Sequence, residues 1–172
     1  MRVELGALAA CIVAACIPGA ADSVPPKDAL RIGMMAGVPE KWNTEANFRV
    51  FLQRLDEAHR QGVELFITPE CWLDGYAAPD QTSTPERLRA IAHDPRTSPY
   101  LRRVSEEARV RGMYICLGFT SVEGEQIYNA AGFWDDQGQL IGLYHKTHLQ
   151  THDLQYSPGL ALPVWPTPWG PM

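Results

Sequence analysis

Glu70 and Lys146 are the residues whose types and settings could carry chemistry. Glu70 lies in Phe66-Ile67-Thr68-Pro69-Glu70-Cys71-Trp72, directly after a short apolar run that reads as a strand. In α/β proteins, reacting groups collect at the carboxyl ends of parallel strands. A glutamate fixed there by Pro69, beside Trp72 and Tyr76, could have a raised pKa and serve as a general base. The alternative is a solvated loop carboxylate, the ordinary fate of glutamate. Lys146 lies in the stretch at residues 140–149, Leu-Ile-Gly-Leu-Tyr-His-Lys-Thr-His-Leu, which reads as a strand apolar on both faces through Leu143. Such a strand is normally covered on both sides. Period-two geometry puts Leu140, Gly142, Tyr144 and Lys146 on one face, and Ile141, Leu143 and His145 on the other. An ammonium at the end of that strand either reaches the surface on its aliphatic stem or waits for a carboxylate. Glu70 is such a carboxylate.

Two other arrangements compete. Cys71 adjoins Glu70 and offers a nucleophile, but neighbours on an extended segment point apart, so Glu70 could hardly serve it as base. His145, His148 and His152, with Asp153 beside them, have metal-like spacing. His145 faces away from Lys146 if the strand continues, which splits that cluster. No serine stands in a Gly-x-Ser-x-Gly setting, so a serine hydrolase is unsupported.

The elements that must position these groups follow from periodicity. Residues 30–36 read as a first strand, and Asn43 or Thr44 caps a helix with Phe48, Phe51, Leu52, Leu55 and Ala58 on one face and Gly62 as its stop. Residues 63–68 read as a second strand, making a β-α-β unit and so a parallel pair. Residues 71–94 are mostly loop, with a short helix after Thr84-Pro85-Glu86. Ser98-Pro99 starts a stronger helix that Arg111-Gly112 ends, and residues 113–120 give a third strand. A hairpin joins residues 127–134 to 139–146 through Asp135-Asp136-Gln137-Gly138. From Gln150 the chain reads as irregular and reaches Met172 without a closing element, so the expected domain is incomplete. Parallel strands followed by a hairpin predict an α/β fold with a mixed sheet.

The chain of 172 residues, net charge -5, carries no electrostatic footprint for nucleic acid. Arg2, the apolar run at residues 5–17 and the small residues Gly19 and Ala21 read as a signal peptide over 1–21, cut after Ala21, although Glu4 is atypical. An N-terminal helix packed on the domain is the alternative. Residues 22–29, with Pro25-Pro26, read as a linker, and 30–172 as the domain. Val13-Ala14-Ala15-Cys16 also resembles a lipobox, which would lipidate Cys16 and anchor an exported protein only with a second signal. Of the four cysteines, Cys11 and Cys16 lie in the leader; Cys71 and Cys116 remain, too few for a disulfide framework. Cys116, inside an apolar run, reads as a core residue.

Pro69-Glu70, Gly75-Tyr76, Tyr128-Asn129-Ala130-Ala131, Tyr144-His145-Lys146-Thr147-His148-Leu149 and Pro158-Gly159, in that order, resemble the nitrilase superfamily of carbon–nitrogen hydrolases. The resemblance runs over residues 30–172. It implies a four-layer α-β-β-α sandwich, of which this chain is the N-terminal part, paired when full length into homodimers or higher homo-oligomers. It implies Glu70 and Lys146 as catalytic base and cation, with Trp72, Tyr76 and Asn129 as candidate pocket residues. The motif accounts for His148 without a metal, and the chemistry implies neither metal nor cofactor. The family's nucleophilic cysteine follows a segment like Val164-Trp165-Pro166-Thr167-Pro168-Trp169-Gly170, which places it beyond Met172. A further family glutamate has Asp153 as its nearest candidate, one methylene shorter. A thiolate would attack an amide or nitrile carbon to give a thioester, with Lys146 stabilising the oxyanion. The run from Pro163 to Gly170 is similar to that of N-carbamoyl amino acid hydrolases, which points to an amide or N-carbamoyl substrate; nitrilases, aliphatic amidases and N-acyltransferases stay open. The expectation is an exported amidohydrolase, inactive as residues 1–172 alone. The rival is a non-catalytic protein that keeps the fold for binding.

Overall fold

The computed structural model describes residues 28–172, so the leader, Cys16 and most of the linker lie outside the described residues. Its elements run β1 (Ile32–Met34), α1 (Thr44–Arg60), β2 (Leu65–Ile67), α2 (Pro85–Ile91), α3 (Pro99–Arg111), β3 (Tyr114–Glu123), β4 (Gln126–Trp134) and β5 (Leu140–His145). A short 3-10 turn (Thr151–Asp153) and the strands β6 (Pro166–Thr167) and β7 (Gly170–Pro171) complete the order. The helices start where side chains can satisfy free backbone donors. Asn43 accepts from Ala46 N–H, Thr84 from Arg87 N–H and Ser98 from Leu101 N–H, and Pro85 and Pro99 open the helices after their caps. Gly112 ends α3 in the left-handed region, φ 60°, where a side chain would be strained.

Five strands form one mixed sheet in the order β1-β2-β3-β4-β5, with β1, β2 and β3 parallel and β3, β4 and β5 antiparallel. Helices α1 and α3 cover one face. Phe48, Phe51, Leu55, Leu101, Val104 and Ala108 pack there on Phe66, Ile115, Leu117, Phe119 and Trp134 from the sheet. On the other face Leu65, Tyr114 and Phe133 cluster with Ile67, Cys116 and Ile141, and with Trp165 and Trp169 beside the β6–β7 hairpin. Ile32 and Met34 on that face stay exposed.

Three local features differ from the sequence reading. The third strand runs on to Glu123 and turns directly into β4, because Gly124 takes φ 61° in a two-residue loop that closes Glu123 on Gln126. The residues before Met172, read as irregular, close into the short antiparallel β6–β7 pair. A bulge between Phe133 and Trp134 leaves Leu140 opposite Trp134 and Gly142 opposite Phe133. Leu140 is therefore not on the face of Gly142 and Tyr144, and Ile141 joins the cluster opposite the helices.

Gly118 in β3 is the point where the site is laid on the sheet. A Cβ there would come within 2.6 Å of Pro69 O and 2.7 Å of Cys71 N, both backbone atoms that cannot swing aside. Gly118→Ala should therefore cost about 1–3 kcal/mol of stability, the usual range for overpacking. An urea melt with an unchanged midpoint would contradict this contact.

Candidate active site

The turn that carries Glu70 continues β2 along the edge of β3 by other means. Thr68 N–H donates to Cys116 O at 3.0 Å, and Gly118 N–H donates to the Thr68 hydroxyl at 2.9 Å. Further on, Leu73 N–H donates to Gly118 O at 3.3 Å, and Thr120 N–H to Asp74 Oδ1 at 2.9 Å. Asp74 Oδ2 also accepts from Ala77 N–H at 3.1 Å. Burial pushes the Asp74 pKa up to about 6 against the pull of these donors. The turn is not extended, as read from the sequence. Cys71 and Tyr76 take φ 46° and 50°, a left-handed conformation unusual outside glycine.

Lys146 follows β5 at the same end of the sheet, since β5 runs antiparallel to β4 and hence along β3. Its backbone N–H donates to Asn129 O at 2.8 Å, and its carbonyl accepts from Gly159 N–H at 2.9 Å. Its ammonium donates to Glu70 Oε1 at 2.8 Å and to Asp153 Oδ2 at 2.7 Å. Asp153 is fully buried, and its other oxygen accepts from the Tyr76 hydroxyl at 3.0 Å. Tyr76 Oη also lies 2.9 Å from His152 Nε2; because the hydroxyl proton goes to Asp153, the imidazole is the donor in that bond. Asn129, also buried, donates from Nδ2 to Glu70 Oε1 at 2.5 Å.

Burial would lower the Lys146 pKa, but the hydrogen bonds to Asp153 and Glu70 and the charge of Glu70 outweigh it and hold the ammonium above the ordinary lysine range. Burial would likewise raise Asp153, and its bonds from Lys146, Gln150 and Tyr76 reverse that and leave it below the usual carboxylate value. Both partners are thus ionised at neutral pH. Glu70, Asn129, Tyr144 and Lys146 line a cleft of about 340 Å³ together with Cys116, Gly118 and Ala131. A carboxylate and a cation meet in this cleft, with a second carboxylate behind the cation.

The structure separates the other sequence candidates from the cleft. Trp72, expected in the pocket, is buried among the α1 side chains with Nε1 donating to Asn47 O at 2.9 Å, because the turn at Cys71 sends it inward. Tyr76 braces Asp153 and is not among the residues lining the cleft. Cys71 is fully buried, 3.9 Å from Tyr156 Oη, and burial, with the nearby Asp74 charge, raises its thiol pKa. Cys116 lines the cleft, but burial pushes its thiol pKa up to about 11 and no hydrogen bond reaches that thiol among the described residues. His145 stacks on Tyr128, His148 Nδ1 lies 2.9 Å from the Thr147 hydroxyl, and His152 meets Tyr76. No group of His, Cys, Asp or Glu among the described residues is placed to hold a metal ion.

Sequence reasoning missed the buried layer beneath. Tyr156 Oη bonds the Thr120 hydroxyl at 2.9 Å, while its N–H donates to Asp153 O at 2.8 Å and Ser157 N–H donates to Ile127 O at 2.7 Å. These bonds tie the turn bearing Asp153 to β3 and β4. The available signal was Asp74, a lone acid in the otherwise apolar run Cys71-Trp72-Leu73-Asp74-Gly75-Tyr76-Ala77-Ala78.

The family model described as carbon-nitrogen hydrolase matches residues 31–168. A nitrilase of Talaromyces marneffei is 25% identical over 130 residues, 72% of this chain and 40% of that protein. A cyanide hydratase of Neurospora crassa is 29% identical over 144 residues, 75% of this chain and 40% of that protein. Among solved structures, an amidase from Nesterenkonia sp. superposes with TM-score 0.66 at 24% identity, covering 83% of this chain and 53% of the other. The chain thus spans about half, or less, of the relatives it matches. With most of its length inside the family model and its mixed sheet matching that amidase, the chain belongs to the carbon–nitrogen hydrolase family, the nitrilase superfamily.

Proposed function

We propose that this chain supplies the base and the cation of a thiol-dependent amidohydrolase acting on a non-peptide C–N bond of a small amide or N-carbamoyl compound. The observation that carries the reading is the contact of Lys146 Nζ with Glu70 Oε1 at 2.8 Å inside a cleft, with Asp153 holding the ammonium from behind. In this reading Cys11 and Cys16 belong to the leader and the nucleophile is a cysteine outside residues 1–172, which the burial of Cys71 and the raised thiol pKa of Cys116 support. Glu70 takes the thiol proton as sulfur attacks the carbonyl carbon, and Lys146 stabilises the oxyanion that forms. Glu70 returns the proton to the nitrogen as the C–N bond breaks, releasing ammonia or an amine and leaving a thioester. It then removes a proton from water, whose oxygen attacks the thioester; the carboxylic acid leaves and the thiol is restored.

Two relatives carry nitrile and cyanide chemistry in their names, nitrilase and cyanide hydratase. The Nesterenkonia sp. AN1 amidase is described with acrylamide and with butyramide, and with covalent addition at its active site cysteine. The N-carbamoyl option rests on the run from Pro163 to Gly170. Export, with cleavage after Ala21 or lipidation at Cys16, and pairing into homodimers belong to the same proposal. N-terminal sequencing of exported protein should begin at Asp22 or be blocked; an intact Met1 would remove the export claim.

The test of the activity is ammonia release from amides, N-carbamoyl amino acids and nitriles. Protein translated through the coding sequence that follows residue 172 should turn over at least one class, and residues 22–172 alone should stay at background. Turnover by residues 22–172 that survives Cys71→Ala but is lost with Glu70→Gln would contradict the placement of the nucleophile.

A further inference from the structure

We infer that Asn129 is a positioning residue that fixes which oxygen of the Glu70 carboxylate is free to move protons. The inference rests on the hydrolase reading above and assigns Asn129 a role through Glu70, in place of the contact with substrate expected from its motif.

An ionised carboxylate only accepts hydrogen bonds, so the Asn129 amide must turn its nitrogen toward Glu70. That nitrogen reaches Oε1 at 2.5 Å, and the Lys146 ammonium reaches the same oxygen at 2.8 Å. Among the described residues, no donor reaches Oε2. A lone cation could be met by either oxygen, or by both at once, as the carboxylate rotates about its last side-chain bond. A second donor from a different strand removes that equivalence. Oε1 is committed to two donors, and Oε2 is left as the more basic oxygen for the thiol, the leaving nitrogen and the water in turn.

Asn129 is suited to this task by charge and by place. It is neutral, so it orients the carboxylate without further neutralising the base as a second lysine would. The residue is 4% exposed, and its β4 backbone is paired with Thr120 of β3, so its own position is fixed. Its carbonyl accepts the Lys146 backbone N–H at 2.8 Å. One residue therefore sets the base through its side chain and the cation through its main chain.

The test uses the active protein translated beyond residue 172 and compares Asn129→Ala and Asn129→Asp with wild type, Glu70→Gln and Lys146→Ala. Folding of each variant is checked by circular dichroism. Asn129→Ala should lower kcat about 100-fold, the scale of a misplaced reacting group, with KM changed less than about threefold. Asn129→Asp has the same shape but donates only when protonated, so its rate optimum should move to lower pH than that of Asn129→Ala. A purely structural role would lower the folded fraction without moving the pH profile. If Asn129→Ala does not fold, the pH shift of Asn129→Asp decides. A KM raised more than about tenfold with kcat retained would make Asn129 a substrate-binding group and overturn the inference. Wild-type kcat and pH profile in both variants, with Glu70→Gln and Lys146→Ala inactive, would overturn it while leaving the hydrolase reading intact. Full activity in Glu70→Gln and Lys146→Ala would instead remove the hydrolase reading, and this inference with it.

Discussion

On the proposed mechanism, Glu70→Gln and Lys146→Ala should each lower kcat of the active protein by at least about 10³-fold, and the double variant should lose little more, because groups acting as one unit are strongly non-additive. Glutamine keeps the shape of Glu70 and an acceptor for Lys146, but it cannot take a proton, so both halves of the reaction lose their base. Alanine at 146 removes the charge that, on this mechanism, would meet the oxyanion. Once either is gone, the other has no proton transfer or no developing charge to assist, and its removal costs little. Stability separates the two variants. Glu70 is partly exposed, so Glu70→Gln should change stability little. Lys146→Ala strands the fully buried Asp153 carboxylate with only Tyr76 and Gln150 as hydrogen-bond donors among the described residues. That should cost about 2–3 kcal/mol, below the range for fully buried pairs because Lys146 keeps some solvent contact. Steady-state kinetics of the four proteins with urea melts of each would measure both effects. Fully additive rate losses would break the single-unit description.

The sequence carries the scaffold because its signals are local. Asn43, Ser98-Pro99 and Gly112 mark helix ends by satisfying or releasing nearby backbone groups, and the apolar faces of α1 and α3 are visible in their 3.6-residue period. Glu70 and Lys146 could be singled out because each follows an apolar strand, although only the fold brings them to one end of the sheet. Less could be read where tertiary contacts override local geometry. Trp72 stands two residues from Glu70 but faces the core, because the left-handed Cys71 reverses the chain, and nothing near Cys71 announces that φ. The Phe133–Trp134 bulge shifts the face of Leu140 by one residue, and a period-two reading has no means of seeing an inserted residue. Asp74 accepts locally from Ala77 N–H, but its second bond, from Thr120 N–H, comes from a different element and exists only once β3 is in place.

Asp153→Asn should lower kcat about 100-fold and flatten the acid side of the stability profile, an expectation that follows from where its charge sits. Asp153 and Glu70 share the Lys146 ammonium at 2.7 and 2.8 Å. With a neutral amide at 153, the ammonium would be drawn wholly onto Glu70, which on the proposed mechanism becomes less available as a base, and the cation would shift from the place where the oxyanion should form. One end of the asparagine also presents N–H groups, so either Lys146 or the Tyr76 hydroxyl faces a donor where it had an acceptor. The pH dependence has a definite sign. The Asp153 pKa is lowered in the folded state, against burial, by its hydrogen bonds from Lys146, Gln150 and Tyr76. Its stabilisation is therefore fully present above the unfolded aspartate value of about 4 and is lost as pH falls through the lower folded value. Lys146 is raised, so its share is present below the unfolded lysine value of about 10.4 and is lost as pH rises through the folded one. Between those limits the wild type should exceed Asp153→Asn in Tm by a constant margin, and the margin should shrink as pH drops below about 4. Thermal melts of both proteins from pH 3 to 9, beside kcat at neutral pH, would show it. An equal Tm margin at every pH, with kcat unchanged, would mean that Asp153 neither holds the cation nor tunes the base.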